Sequence, residues 1–133
     1  MTDAANPFAA MMKMGQDWAK QVNPALTTFT PKGFEEMFPT MPKDVMEMFM
    51  GKGMNPEGLD SKTKLLLTLQ GLTIMGAQAE AQVRLTVRHA VEAGASKQEI
   101  AETIAQAAMF GGVPAMTKAM ELATEVLDKD NEA

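Results

Sequence analysis

Apolar residues recur at three- and four-residue spacing along most of this chain, and no useful length alternates with period two. The pattern predicts helices and no sheet. The first stripe is Phe8, Met11, Met12, Gly15, Trp18, Ala19 and Val22. Asn6 caps well and Pro7 is pre-set for the first helical position, so a helix is predicted from there to about Asn23-Pro24. Thr30-Pro31 is followed by a short segment, Phe34 to Phe38, closed by Pro39. Pro42 opens another short helix whose Val45, Met46, Met48, Phe49 and Met50 are apolar on most sides. Gly51, Gly53, Pro56 and Gly58 mark a loop.

Beyond that loop the periodicity strengthens. Asp60 is the predicted cap of a helix reaching about Gly76, with Leu65, Leu66, Leu67, Leu69, Leu72, Ile74 and Met75 expected to be mostly buried. A second helix is predicted from about Ala77 to Ala93, stopping at Gly94, where a left-handed residue favours glycine. Ser96 and Glu99 have the spacing of a capping box. The helix they start carries Ile100, Ile104, Ala107, Ala108 and Met109 to Phe110 and breaks at Gly111-Gly112. Pro114 opens the last helix, with Met116, Ala119, Met120, Ala123 and Leu127 as its expected core stripe. The charged tail from Asp128 is expected to fray. The fold class is all-α.

Composition divides this pattern in two. Ten of the fourteen Met, five of the seven Pro and five of the six Phe lie in residues 1–54. A Met-rich helical extension over 1–54 is therefore expected ahead of a helical core over 55–133. A chain of 133 residues suits one compact domain. Its net charge of −5 argues against nucleic acid, which needs a basic surface. No apolar run reaches the roughly 18 residues of a membrane span, and the first residues show no signal-peptide pattern, so a cytoplasmic location is expected. Cysteine is absent, which removes disulfides, thiolate metal sites and cysteine nucleophiles together.

The strongest polar pattern is Glu80, Arg84, Arg88 and Glu92, four charges at four-residue spacing along one helix face. Two readings stand side by side. In one, the face is a pocket wall, with Glu80 as base and Arg84 and Arg88 gripping a carboxylate. In the other it is a ladder of ion pairs, Glu80 with Arg84 and Arg88 with Glu92, bridging helices or subunits. Arg84 and Arg88 are the only arginines; the other ten cations are lysines. His89, the only histidine, is a candidate proton carrier, with a satisfied or interface histidine as its plainer reading. One His without Cys or a clustered carboxylate triad does not make a closed transition-metal site, and no metal or cofactor is expected. Gly111-Gly112-Val113-Pro114 lacks the Lys and the strand of a phosphate-binding loop and reads as a tight interhelical turn. The Met-rich half has no repeated Met array of a copper site and reads as core filling or cover for a neighbouring subunit.

Glu92-Ala93-Gly94-Ala95-Ser96-Lys97-Gln98-Glu99-Ile100-Ala101-Glu102 and Gly111-Gly112-Val113-Pro114-Ala115, with the order of parts over residues 59–127, resemble the carboxymuconolactone decarboxylase and alkylhydroperoxidase D-like family. The resemblance implies a helical fold with a central antiparallel helix pair, assembled as a homotrimer or homohexamer. It also implies where the peroxidase branch has its Cys-x-x-Cys and His. Counted back from Gly94 these positions are Ala79, Gln82 and Thr86; counted forward from Gly76, the His position becomes Arg84. The family's Glu on the preceding helix falls near Leu65 or Leu67. None of these residues is the expected one. Dithiol peroxide reduction needs a thiolate and a resolving thiol, so thiol peroxidase activity is excluded on chemistry. The decarboxylase branch needs no cysteine. It implies acid/base chemistry on a small carboxylated substrate, with Glu80 or His89 moving a proton and Arg84 and Arg88 binding the carboxylate. The rival class is a non-catalytic oligomeric scaffold. A variant of it comes from the first helix, whose Asn6-Pro7-Phe8 opening with Trp18 is similar to the start of phasin-type proteins, which coat hydrophobic granules. An open pocket beside Glu80 and His89 favours the enzyme; a fully paired ladder favours the scaffold.

Overall fold

The computed structural model describes residues 7–22 and 38–132, and every regular element among them is a helix. The order is α1 (Pro7–Val22), α2 (Lys43–Met50), α3 (Ser61–Ile74), α4 (Glu80–Glu92), α5 (Lys97–Gly111) and α6 (Val113–Glu132). α1 belongs to a compact unit spanning 1–33, and α2 to α6 belong to another spanning 34–133. The sequence placed the change at 54/55. Instead α2 falls with the larger unit, because Met46 is completely buried in the core that α3 to α6 build. The predicted segment Phe34 to Phe38 lies outside the described residues, Phe38 excepted.

Local chemistry sets most helix ends. The Asp60 side chain accepts from the Thr63 backbone N–H at 2.8 Å and starts α3. Ser96 and Glu99 form the full capping box: the Ser96 hydroxyl accepts from the Glu99 N–H, and the Glu99 carboxylate accepts from the Ser96 N–H, both at 3.0 Å. α3 and α4 end alike. Ala77 N–H reaches back to the Leu72 carbonyl and Ala95 N–H to the Ala90 carbonyl, while Gly76 and Gly94 take φ of 94° and 103°. These are Schellman closures, which require the left-handed residue that glycine supplies without strain. The first closure also moves the start of α4. Ala77 is itself left-handed, at φ 53°, so the helix expected from Ala77 begins only at Glu80.

α3 packs against α4, α5 and α6, and α6 also covers α4 and α5. The fully buried Leu69, Val83, Val87, Ile100 and Ile104 form its centre with Met46. Each stabilises the fold by roughly 1.5–3 kcal/mol through burial alone. The leucine-rich α3 is not mostly buried as its composition suggested. Only Leu65 and Leu69 are, with Thr73 completing one residue per turn, whereas Leu67, Ile74 and Met75 stand on the outer face. Met109, on the same helix as the buried Ile100 and Ile104, is exposed. On α6 the buried row is Ala115, Ala119, Leu122, Ala123 and Val126, with the expected Met116, Met120 and Leu127 only flanking it. α6 runs as helix from Val113 through the charged residues to Glu132. Close approach explains Gly111: a Cβ there would stand 2.9 Å from Ile74 Cα, so the ends of α3 and α5 touch through backbone.

Candidate functional site on the fourth helix

α4 presents its apolar residues Val83, Val87 and Ala90 to the core, so the polar positions between them fall along its borders with α6 and with the chain before α2. The charged ladder therefore does not form one surface. It divides into two clusters, each holding α4 to a different part of the fold.

The first cluster ties α4 to α6. The Arg84 side chain is only 8% exposed. Its Nε donates to Glu125 Oε2 at 3.0 Å and its Nη2 to Glu80 Oε1 at 3.4 Å. Lys118 Nζ stands 3.4 Å from the other oxygen of Glu80. One buried guanidinium thus bridges two carboxylates that are each about half exposed, at 47% and 52%. The Glu80–Arg84 pair matches the ladder reading; Glu125 and Lys118 were not anticipated. No signal within α4 announces a partner 41 residues away.

The second cluster ties α4 to the segment Phe38–Met41. Arg88 Nη2 donates to the Phe38 carbonyl. His89 uses both ring nitrogens: Nδ1 meets the Leu85 carbonyl at 2.8 Å, and Nε2 accepts from the Met41 N–H at 3.1 Å. The ladder's second pair, Arg88 with Glu92, does not form; Glu92 is exposed and makes no ion pair among the described residues. Thr86, the position counted back from Gly94 along unbroken helix, is buried. The forward count from Gly76 crosses the non-helical residues before α4 begins at Glu80.

Two open clefts of the fold are not lined by Glu80, Arg84, Arg88 or His89. One, of about 330 Å³, is lined by Lys43, Glu47, Lys52, Asp60, Lys62 and the Gly94 turn. Its acids are engaged with the backbone. The Lys52 N–H, the Ser61 hydroxyl and the Ser61 N–H hold the Glu47 carboxyl below its ordinary range, and Thr63 does the same for Asp60. The other, of about 360 Å³, lies between α3 and α5, lined by Leu66, Gln70, Glu99, Glu102, Thr103 and Gln106. The Ser96 N–H and the Lys62 ammonium lower the Glu99 carboxyl. No group of three or more His, Asp or Glu stands close enough to hold a metal among the described residues. No described helix is long and apolar enough to cross a membrane.

Across its full length the chain is similar to an uncharacterized 15.0 kDa protein of Paracoccus denitrificans, described by its place in the nqo9-nqo10 intergenic region. The two are 52% identical over 133 residues, 99% of each chain. Residues 39–125 match the carboxymuconolactone decarboxylase family description. That match starts at the segment pinned by Arg88 and His89 and includes α2, so family and compact unit coincide where composition had divided them. With a match over this share of its length, the chain belongs to the carboxymuconolactone decarboxylase family.

Proposed function

We propose that this chain is a non-catalytic, homo-oligomeric member of its family, a helical binding or scaffold protein in which the polar residues of α4 hold the fold together. The observation that carries this reading is the engagement of the candidate groups. Arg84 bridges two carboxylates, and His89 has both nitrogens hydrogen-bonded to backbone. His89 thus has no ring nitrogen left over for a substrate proton, and the Nε edge of Arg84 is already taken by Glu125. Assembly is supported by apolar groups at one end of the larger unit. Ile74, Met75, Met109, Phe110 and Val113 are exposed around the touching ends of α3 and α5. A trimer or hexamer would cover such surface, and exposed clusters of this kind commonly mark protein contacts.

A second reading keeps the family's decarboxylase chemistry on a small carboxylated substrate. It is favoured by Glu80, whose half-exposed carboxylate lies between Arg84 and Lys118 and is open to solvent on one side. This reading needs Glu80 or His89 to transfer the proton and Arg84 with Arg88 to bind the carboxylate, so one substrate would have to reach both clusters. Dithiol peroxidase chemistry belongs to neither reading, because the chain has no cysteine.

One experiment separates them. Purified protein is incubated at high concentration with a carboxymuconolactone, and carbon dioxide release is followed beside light-scattering mass. The expected result is a trimeric or hexameric mass with no release above the protein-free control. Turnover abolished by Glu80→Gln or His89→Gln, with mass unchanged, would overturn the scaffold reading. A monomeric mass at micromolar concentration would overturn the assembly.

A further inference from the structure

The contacts of His89 define its protonation state. Met41 N–H can only donate and the Leu85 carbonyl can only accept, so Nε2 must carry the lone pair and Nδ1 the proton. Free neutral histidine favours the opposite tautomer, so the fold itself imposes this one. The segment it grips, Phe38-Pro39-Thr40-Met41-Pro42, has few ways to be held. Pro39 and Pro42 carry no N–H, and their rings stiffen the backbone as an extended strap. The strap leads straight into α2, whose Met46 is buried in the core and whose first turn bonds back to the Pro42 carbonyl.

We propose that His89 is a pH-sensitive clasp: neutral, it fastens the Met41 end of the strap to α4, and protonation at Nε2 unfastens it. A second proton on the ring would sit at Nε2, so the imidazolium and the Met41 amide would present two donors to each other across 3.1 Å. The other attachment does not respond. Arg88 donates to the Phe38 carbonyl independently of the ring, so the strap opens from the Met41 end and stays anchored at the other. The charged groups nearest along the chain to the ring and to Met41 are Arg88 and Glu92 on α4 and Lys43 and Asp44 at the start of α2. None of them hydrogen-bonds or ion-pairs with the ring among the described residues. The switch therefore acts through the loss of one ring acceptor for a backbone amide rather than through a rearranged salt bridge. It holds whether or not the chain has a catalytic activity.

Because the chain has a single histidine, its titration can be read without assignment ambiguity. The test is NMR on the intact protein between pH 8 and 5, the range in which histidines charge. It records the His89 ring nitrogen shifts and the exchange rate of the Met41 amide relative to that of Ile104 in the core. At the alkaline end the nitrogen shifts are expected to report the Nδ1–H tautomer. As the ring titrates, Met41 protection is expected to fall about tenfold relative to Ile104, one hydrogen bond's worth. His89→Ala should leave Met41 weakly protected at every pH, and Ile104 protection in the variant shows that the core is still folded. An Nε2–H tautomer at the alkaline end would overturn the clasp. So would Met41 protection that stays level through the titration, or a step in Met41 protection that survives in His89→Ala.

Discussion

Arg84 gives the sharpest test of whether α4 carries structure or a ligand site, because its surroundings fix an order of effects. The guanidinium is buried, while Glu80 and Glu125 are about half exposed. Removing the arginine leaves two carboxylates that water can reach; removing a carboxylate leaves a buried cation with one partner fewer. A charge-assisted hydrogen bond contributes roughly 1.5–3 kcal/mol when desolvated, and an exposed pair about 0–1 kcal/mol. Half-exposed partners, one of them at 3.4 Å, place the two Arg84 contacts together at about 1–2 kcal/mol. Arg84→Met, which retains the packed stem, should cost about that much. Arg84→Ala also loses the stem's packing and should cost about 1–2 kcal/mol more. Glu125→Gln should cost about 1 kcal/mol, and Lys118→Met, from a more solvated pair, close to nothing. Urea unfolding at one fixed protein concentration reads these values as midpoint shifts. With a slope of about 1–3 kcal/mol per molar, Arg84→Ala should move the midpoint by on the order of 1 M. If Arg84→Ala leaves the midpoint where it was and abolishes binding of a small carboxylate, the structural account of the ladder fails.

Three further outcomes follow from the packing and the titratable groups. Met46→Ala should destabilise the protein by about 2–5 kcal/mol and Met48→Ala, at an exposed position, by less than about 0.5 kcal/mol; equal denaturation midpoints would detach α2 from the core. Gly111→Ala should lower the thermal midpoint by several degrees, because its Cβ would meet Ile74 backbone rather than a movable side chain; an unchanged melting curve would refute the close approach of α3 and α5. Glu47, Asp60 and Glu99 have lowered carboxyl pKa values, so their contribution is complete above the ordinary values of 4.5 for Glu and 3.8 for Asp, and fades as the pH falls below them. The stability–pH curve should therefore drop below about pH 4.5 and flatten in Glu47→Gln; a variant with the same acid slope as the parent would remove Glu47 from that role.

Local chemistry was readable wherever a few neighbouring residues settle the outcome. Asp60, the Ser96–Glu99 box, Gly94 and the three- and four-residue apolar spacing each specify their helix through contacts within about one turn, and each is realised. The absence of cysteine closed off dithiol chemistry with no structure at all. The readings that changed concern which side of an apolar helix finds a neighbour. Leu67 and Leu69 are the same residue two positions apart, yet one is exposed and the other fully buried, because α4 and α5 cover only part of α3. Composition likewise set α2 apart with the Met-rich half, and only the insertion of Met46 among residues far along the chain joins it to the core.

The charged face of α4 shows the same division between sequence and tertiary structure. Four-residue spacing determined that Glu80 and Arg84 would meet, since helix geometry alone brings them together. That Arg84 also takes Glu125 from α6, and that His89 closes on a backbone amide 48 residues earlier, depends on how separate segments pack. Sequence fixes the donors and acceptors a residue can offer, but the burial that makes a partner obligatory exists only once the helices have come together.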